Sequence, residues 1–160
     1  MSFSLLLNSN SYYSQANANG DTTYAVNFTN YPEGKYNLTF SYYGEQNHLN
    51  GTDLANVYVS FQSAPRMTVL SGSVGNQNSN YIGTLKKELL ANGNDCYLYA
   101  APTDNPPVHF PQKPTTNFIQ VQLLNRAGTV IVLHDVADPN VAGYMLTLHF
   151  EKLCDNCDMD

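Results

Sequence analysis

Two apolar runs in the last third of the chain, at residues 117–124 and 144–151, constrain its fold most strongly. In both runs apolar residues recur at every second position, which is the period of a β-strand. Ile119, Val121 and Leu123 share one face of the first run. The second run places four apolar side chains on one face, namely Tyr144, Leu146, Leu148 and Phe150. Strands with one apolar and one polar face predict the inner walls of an antiparallel sandwich.

The rest of the chain repeats this alternation in shorter pieces separated by turn residues. The predicted strands lie at residues 3–7, 23–28, 35–43, 57–61, 67–70, 81–89, 95–100 and 130–133. The polar segments between them predict loops at residues 8–21, 44–53 and 76–80. No segment has a convincing amphipathic helical pattern. About eight to ten short strands therefore predict an all-β chain that forms a single antiparallel β-sandwich over residues 1–153. An acidic tail follows at residues 154–160.

Composition limits the classes of function. Only 12% of the residues are charged, and polarity is carried instead by twenty Asn and twelve Tyr, a surface suited to packing against other proteins. Seven Lys and Arg stand against thirteen Asp and Glu and are scattered along the chain, so we expect no nucleic-acid binding. No apolar run approaches the roughly 20 residues that span a bilayer, so we expect no membrane span. The lack of a recognisable signal peptide favours residence inside a cell.

Prolines are concentrated before the first of the two runs. Five of the eight prolines of the chain fall between residues 102 and 114. Proline cannot donate a hydrogen bond to a sheet, so this stretch predicts an extended loop or arm. Loops of this length in compact domains usually have a function. We therefore predict that the segment binds partners through Pro102, Pro106, Pro107, His109, Phe110, Pro111 and Pro114.

No motif indicates catalysis, and we expect neither an enzyme nor a cofactor. The four histidines are His48, His109, His134 and His149, and no two of them have the sequence spacing of metal ligands. A cupin-like metal enzyme is therefore a distant third possibility. Cys154 and Cys157 form a CxxC pair, but Cys96 is the only other thiol. A structural zinc site needs four ligands, so the pair is only a weak metal candidate.

The tyrosines allow an alternative function. Aromatic faces stack on sugar rings, so a lectin-like sandwich would use loop or strand-end tyrosines such as Tyr42, Tyr43 and Tyr81. Tyrosines at strand positions are more often core or rim residues. We therefore rank carbohydrate binding second, after a structural role.

The order of residues 117–125, a short Gly-containing turn and residues 143–151 resembles the C-terminal strands of a viral family. These are the small jelly-roll minor capsid and penton-type proteins of large icosahedral nucleocytoplasmic DNA viruses of algae and protists. The resemblance implies a jelly-roll form of the sandwich and a minor capsid or vertex role. It also implies packing against the major capsid protein and against copies of the chain itself, as a homo-oligomer or lattice component. The implied location is the virion, assembled in the host cytoplasm.

Overall fold

The computed structural model describes residues 1–8, 15–16, 21–47, 54–60, 67–71, 75–79, 81–89, 95–124, 130 and 144–154. All regular structure within these ranges is β, which confirms the predicted all-β fold. The strands are β1 (Phe3–Asn8), β2 (Gln15–Ala16), β3 (Asp21–Ala25), β4 (Tyr36–Asn47), β5 (Leu54–Ser60), β6 (Met67–Ser71), β7 (Gly75–Ser79), β8 (Tyr81–Leu89), β9 (Asp95–Ala100), β10 (Val108–Phe110), β11 (Phe118–Leu124) and β12 (Tyr144–Lys152).

Ten of these strands join in one antiparallel network with the order β1-β12-β4-β9-β8-β5-β11-β3-β2, and β10 pairs with β4. The remaining strands, β6 and β7, pair with each other. The longer strands of the network pair in a nested way: β1 with β12, β3 with β11, β4 with β9, and β5 with β8. A long antiparallel ribbon that folds over on itself produces this pattern. Two further antiparallel pairings, β12 with β4 and β11 with β5, join strands of the folded ribbon side by side.

The two C-terminal runs form the strands that the alternation predicts. In β11 the side chains of Ile119, Val121 and Leu123 are fully buried, whereas Phe118 is exposed. In β12 the four predicted apolar side chains, from Tyr144 to Phe150, are buried as well. Burial of one face of each strand removes a continuous apolar surface from water, which is the main favourable term in folding.

Contacts between strands that are not neighbours in the network show that its two halves face each other. Tyr24 in β3 and Tyr144 in β12 meet in the interior, where the Tyr24 hydroxyl donates to the Tyr144 hydroxyl at 3.0 Å. Gly83 in β8 lies so close to β4 that an added Cβ would stand 2.5 Å from the Phe40 ring. The described strands therefore form a sandwich-like fold around one apolar core.

Three predicted loops contain strand residues. The 8–21 loop holds β2, the 44–53 loop holds the end of β4, and the 76–80 loop holds most of β7. These segments are polar, so they lack the alternation on which the prediction depended, and pairing with a neighbouring strand determines their structure instead. In the predicted 130–133 strand, only Val130 is described, and it bridges Leu124. At the end of β12 the Leu153 amide donates to the Lys35 carbonyl at 2.9 Å.

Candidate functional site

The proline-rich segment lies along the sandwich instead of projecting from it. We call residues 101–116 the strap. At its start the Asp104 amide donates to the Ala101 carbonyl at 3.0 Å, which closes a turn. The Asn105 side chain then binds both backbone groups of Thr84 in β8: its Oδ1 accepts from the amide at 2.9 Å and its Nδ2 donates to the carbonyl at 3.3 Å. The Asn105 side-chain amide thus takes the place of a neighbouring strand's backbone beside Thr84. Lys86 adds an ion pair to Asp104 at 3.3 Å.

The middle of the strap forms β10, which pairs with the start of β4. Val108 and Phe110 point into the core, and Phe110 is only 1% exposed. Its ring meets Phe150 edge-on, with the centroids 5.7 Å apart. His109 points outward between them, where its Nδ1 lies 3.3 Å from Asn37 Oδ1.

Burial corrects part of the predicted partner-binding set. Phe110 and Pro114 are buried, so their side chains present no surface to a partner. The reason is that the strap packs onto the sandwich and contributes to its core. The other members of the set are exposed, namely Pro102, Pro106, Pro107, His109 and Pro111. Partner binding by these residues stays a prediction.

A cleft lies beside the end of the strap and has a volume of about 240 Å³. Its lining includes Lys113, whose side chain is only 6% exposed. The Lys113 Nζ donates to the Tyr31 carbonyl at 2.9 Å and lies 2.6 Å from the carboxylate of Glu33, whose side chain is 82% exposed. A buried ammonium requires such partners, because burial of an unpaired charge is costly. The other lining residues are Phe28, Thr29, Pro114, Thr115 and Asn117.

A broad sheet surface lies on the side of β1, β12 and β4, and of the adjoining β9 and β10, that faces away from the core. We call it the outer face. The strand registers place side chains from neighbouring strands side by side on it, such as Met145 beside Tyr43 and Leu6 beside Thr147. Ser4 and His149 are joined across two strands by a hydrogen bond of 2.9 Å. The outer face consists of Ser4, Leu6, Asn8, Asn37, Thr39, Ser41, Tyr43, Tyr99, His109, Met145, Thr147 and His149.

None of these twelve residues is Asp, Glu, Lys or Arg. Charged residues of the same sheet border them: Glu151 lies on this side of β12, opposite Asn37, Glu45 is two residues beyond Tyr43 in β4, and Lys86 is opposite Tyr99. Apolar side chains collect at one end: Leu6 is 64% exposed and Met145 is 47% exposed. Hydroxyl, amide and imidazole groups occupy the other end. A set of uncharged residues that includes exposed Met and Tyr side chains has the composition of the central part of a protein–protein interface.

The three tyrosines predicted for glycan binding do not form one surface. Tyr42 is buried and stacks on Tyr144 with the ring centroids 5.4 Å apart, so its selection as a sugar contact is wrong. Among the described residues its hydroxyl has no hydrogen-bond partner, and burial raises the pKa of Tyr42 well above 10.0. Tyr43 is exposed on the outer face, while Tyr81 is partly buried and binds Thr84 Oγ1 at 2.6 Å.

The predicted metal candidates fall partly outside the described residues. Cys154 is a free, exposed thiol, whereas Cys157, His48 and His134 lie outside the described ranges. His109 and His149 are both on the outer face but lie in different hydrogen bonds. Within the described part of the chain, no three His, Cys, Asp or Glu side chains are grouped as metal ligands. In the same part of the chain, no helix has the length and apolar character to span a bilayer.

Several residues of the strap and the cleft could not have been identified from the sequence. Lys113 and Asn105 carry no motif, and a lysine is almost never expected to be buried. The uncharged outer face is different, because the alternation of β4 and β12 already separates its residues from those of the core. Comparisons of the chain with models of protein families, with curated proteins and with solved structures give no significant match.

Proposed function

We propose that the chain is a jelly-roll structural protein of a virus particle, a minor capsid or vertex component that packs against other capsid proteins through its outer face. The nested strand pairing supports the jelly-roll form. Jelly rolls consist of eight strands in two sheets with Greek-key connections, and they occur in viral capsid proteins. Here the pairs β1–β12, β3–β11, β4–β9 and β5–β8 fold one antiparallel ribbon into two layers.

The uncharged outer face is the observation that carries the proposal. A protein that stays free in solution normally keeps charged groups on its surface, and interface centres lose them. Leu6, Tyr43 and Met145 offer apolar contact area, while the hydroxyl and amide groups around them offer hydrogen bonds. A lattice component that buries these twelve side chains against a neighbour desolvates no charge among them, and Glu151 beside Asn37 would lie at the polar rim of the contact.

The strap supports the same role. Its exposed prolines have a fixed φ and stand on a segment held at both ends, by Asn105 on β8 and by Lys113 on Tyr31. A preorganised ridge of this kind loses little conformational entropy when it binds. It therefore suits a fixed contact with a neighbouring subunit.

Incorporation into particles tests the proposal. We expect the chain in purified virions of the virus that encodes it, detected by mass spectrometry and by antibody labelling of opened particles. Met145→Glu puts a charge in the apolar end of the outer face, beside Tyr43, and is expected to abolish incorporation. Asn30→Glu adds the same charge at an exposed turn outside this face and is the matched control. Absence of the wild-type chain from particles, or normal incorporation of Met145→Glu, would contradict the proposal.

Carbohydrate binding is the second candidate, and the cleft beside the strap favours it. The cleft has a volume of about 240 Å³ and offers Asn117, Thr29 and Thr115 as hydrogen-bonding groups next to the Phe28 ring. Ligand sites combine an apolar wall with a few polar groups in this way. Retention on a glycan array that is lost in Asn117→Ala would support this function, and a lack of retention on any glycan would exclude it.

A further inference from the structure

The β1 strand ends the strand order of the main sheet, and its outer edge is open among the residues that the structure describes. β12 pairs with one side of β1 along all six residues, from Phe3 to Asn8. Within the described part of the chain, no strand pairs with the other side. Every second residue of an edge strand directs its amide and carbonyl away from the sheet. This edge therefore offers a row of backbone donors and acceptors to another extended chain.

This edge lacks the features by which soluble proteins protect exposed strands. Such features are very short edge strands, prolines, bulges and charged side chains, especially lysine. The β1 sequence is Phe-Ser-Leu-Leu-Leu-Asn, which has no charge and no proline, and its register with β12 is continuous. At the opposite end of the strand order, β2 has only two residues. The described part of the main sheet thus has one short edge, at β2, and one long, apolar edge, at β1.

A second copy of the chain is the occupant that this edge fits best. Antiparallel pairing of β1 with its own copy must match residues that point to the same side of the sheet. Pairing about a two-fold axis at Leu6 satisfies this condition: Leu6 meets Leu6, Leu5 meets Leu7, and Ser4 meets Asn8. The contact would cover the Leu6 side chain, which is 64% exposed. No charged side chain of β1 opposes the approach of an identical strand.

We infer that two copies of the chain associate edge to edge through antiparallel β1 strands, with a two-fold axis at Leu6. The two β1-β12-β4-β9 layers then form one continuous sheet across the dimer. Such an isologous contact uses the same strand on both subunits and closes after two copies. The association is independent of the proposed capsid role, because it involves only copies of this chain and occurs at the edge of the outer face, not in its centre.

Sedimentation velocity of the full chain tests the inference, together with hydrogen exchange at several protein concentrations. We expect a concentration-dependent dimer in which the amides of β1 become more protected as the dimer forms. Leu6→Lys places a protecting lysine on the edge, and we expect it to raise the dimer dissociation constant by at least about tenfold. Ser4→Lys, at another exposed β1 position, is the second variant and is expected to act in the same direction.

Met145→Lys is the matched control, because it introduces the same charge on the same face of the neighbouring strand but away from the edge. We expect Met145→Lys to dimerise like the wild type. A wild-type chain that remains monomeric at all concentrations would overturn the inference. So would a folded Leu6→Lys or Ser4→Lys variant that dimerises normally, or protection that develops outside β1. A Met145→Lys variant that loses dimerisation would show that the outer face, and not the edge, joins the copies.

Discussion

Phe110 provides the strongest test of how the strap is held. The sequence predicts a partner-binding arm that includes this residue, whereas in the structure Phe110 is 1% exposed and its ring meets Phe150 edge-on at 5.7 Å. If the strap is part of the folded core, Phe110→Ala must destabilise the whole domain. If the strap is an arm, the same change must affect only association with partners.

The expected loss follows from the burial of the ring. Replacement of a buried phenylalanine by alanine typically costs about 3 to 5 kcal/mol, from lost transfer free energy and the cavity that remains. Phe110 is buried on all sides, because β4 pairs with its backbone and Phe150 contacts its ring. We therefore expect the free energy of unfolding to fall by about 3 to 5 kcal/mol. For a domain of this size, that corresponds to a decrease of roughly 6 to 20 °C in the melting temperature.

Urea unfolding followed by circular dichroism measures this loss as a shift of the midpoint at constant slope. His109→Ala is the matched control, because His109 is the neighbouring residue of the same strand but points outward. We expect it to change the free energy of unfolding by less than about 0.5 kcal/mol. A Phe110→Ala protein within about 0.5 kcal/mol of the wild type would refute the assignment of the strap to the core.

Two further predictions concern the buried tyrosines. Tyr42→Phe removes a buried hydroxyl that has no hydrogen-bond partner among the described residues, so we expect unchanged or increased stability in urea unfolding. Tyr24→Phe breaks the hydrogen bond to Tyr144 and should cost about 1 kcal/mol. A loss from Tyr42→Phe as large as that from Tyr24→Phe would contradict this reasoning. Burial also raises the pKa of Tyr24 and Tyr42 above the ordinary value of 10.0. The folded state thus retains protons that the unfolded state releases, so stability is full below pH 10 and falls above it, by up to about 1.4 kcal/mol per pH unit for each tyrosine. Unfolding between pH 9 and about 12 should show this slope, and Tyr42→Phe should reduce it; an equal slope in both proteins would show that Tyr42 does not contribute.

Alternation predicted the parts of the fold that consist of apolar strands. β11 and β12 agree closely with their predicted ranges because a fully apolar face leaves one orientation in the sheet. β7 was not predicted as a strand, because its residues, Gly-Asn-Gln-Asn-Ser, are all small or polar. Pairing with β6 makes it a strand, and such a long-range contact leaves no local pattern.

The same reasoning explains the errors among the candidate site residues. The alternation in β4 places Tyr42 on the face of Leu38 and Phe40, so its burial follows from the pattern that predicted the strand. In β10, Val108 and Phe110 flank an outward His109, which is an apolar–polar–apolar pattern. Three residues between prolines are too few for that pattern to outweigh the proline content. Partner contacts were therefore expected where the chain packs onto itself.

The strap also determines which part of the sandwich remains open to another strand. Among the described residues, the main sheet offers three places for an added strand: the edge of β1, the edge at β2, and the gap beyond the end of β9, between β4 and β8. The strap fills the gap, because β10 pairs with β4 and the Asn105 side chain binds the backbone of Thr84 in β8. The edge at β2 is two residues long. Of these three places in the described main sheet, β1 remains as the long, uncharged edge, and it borders the outer face. The surfaces best suited to association thus lie next to each other on one layer, so neighbouring subunits would approach the chain from that side.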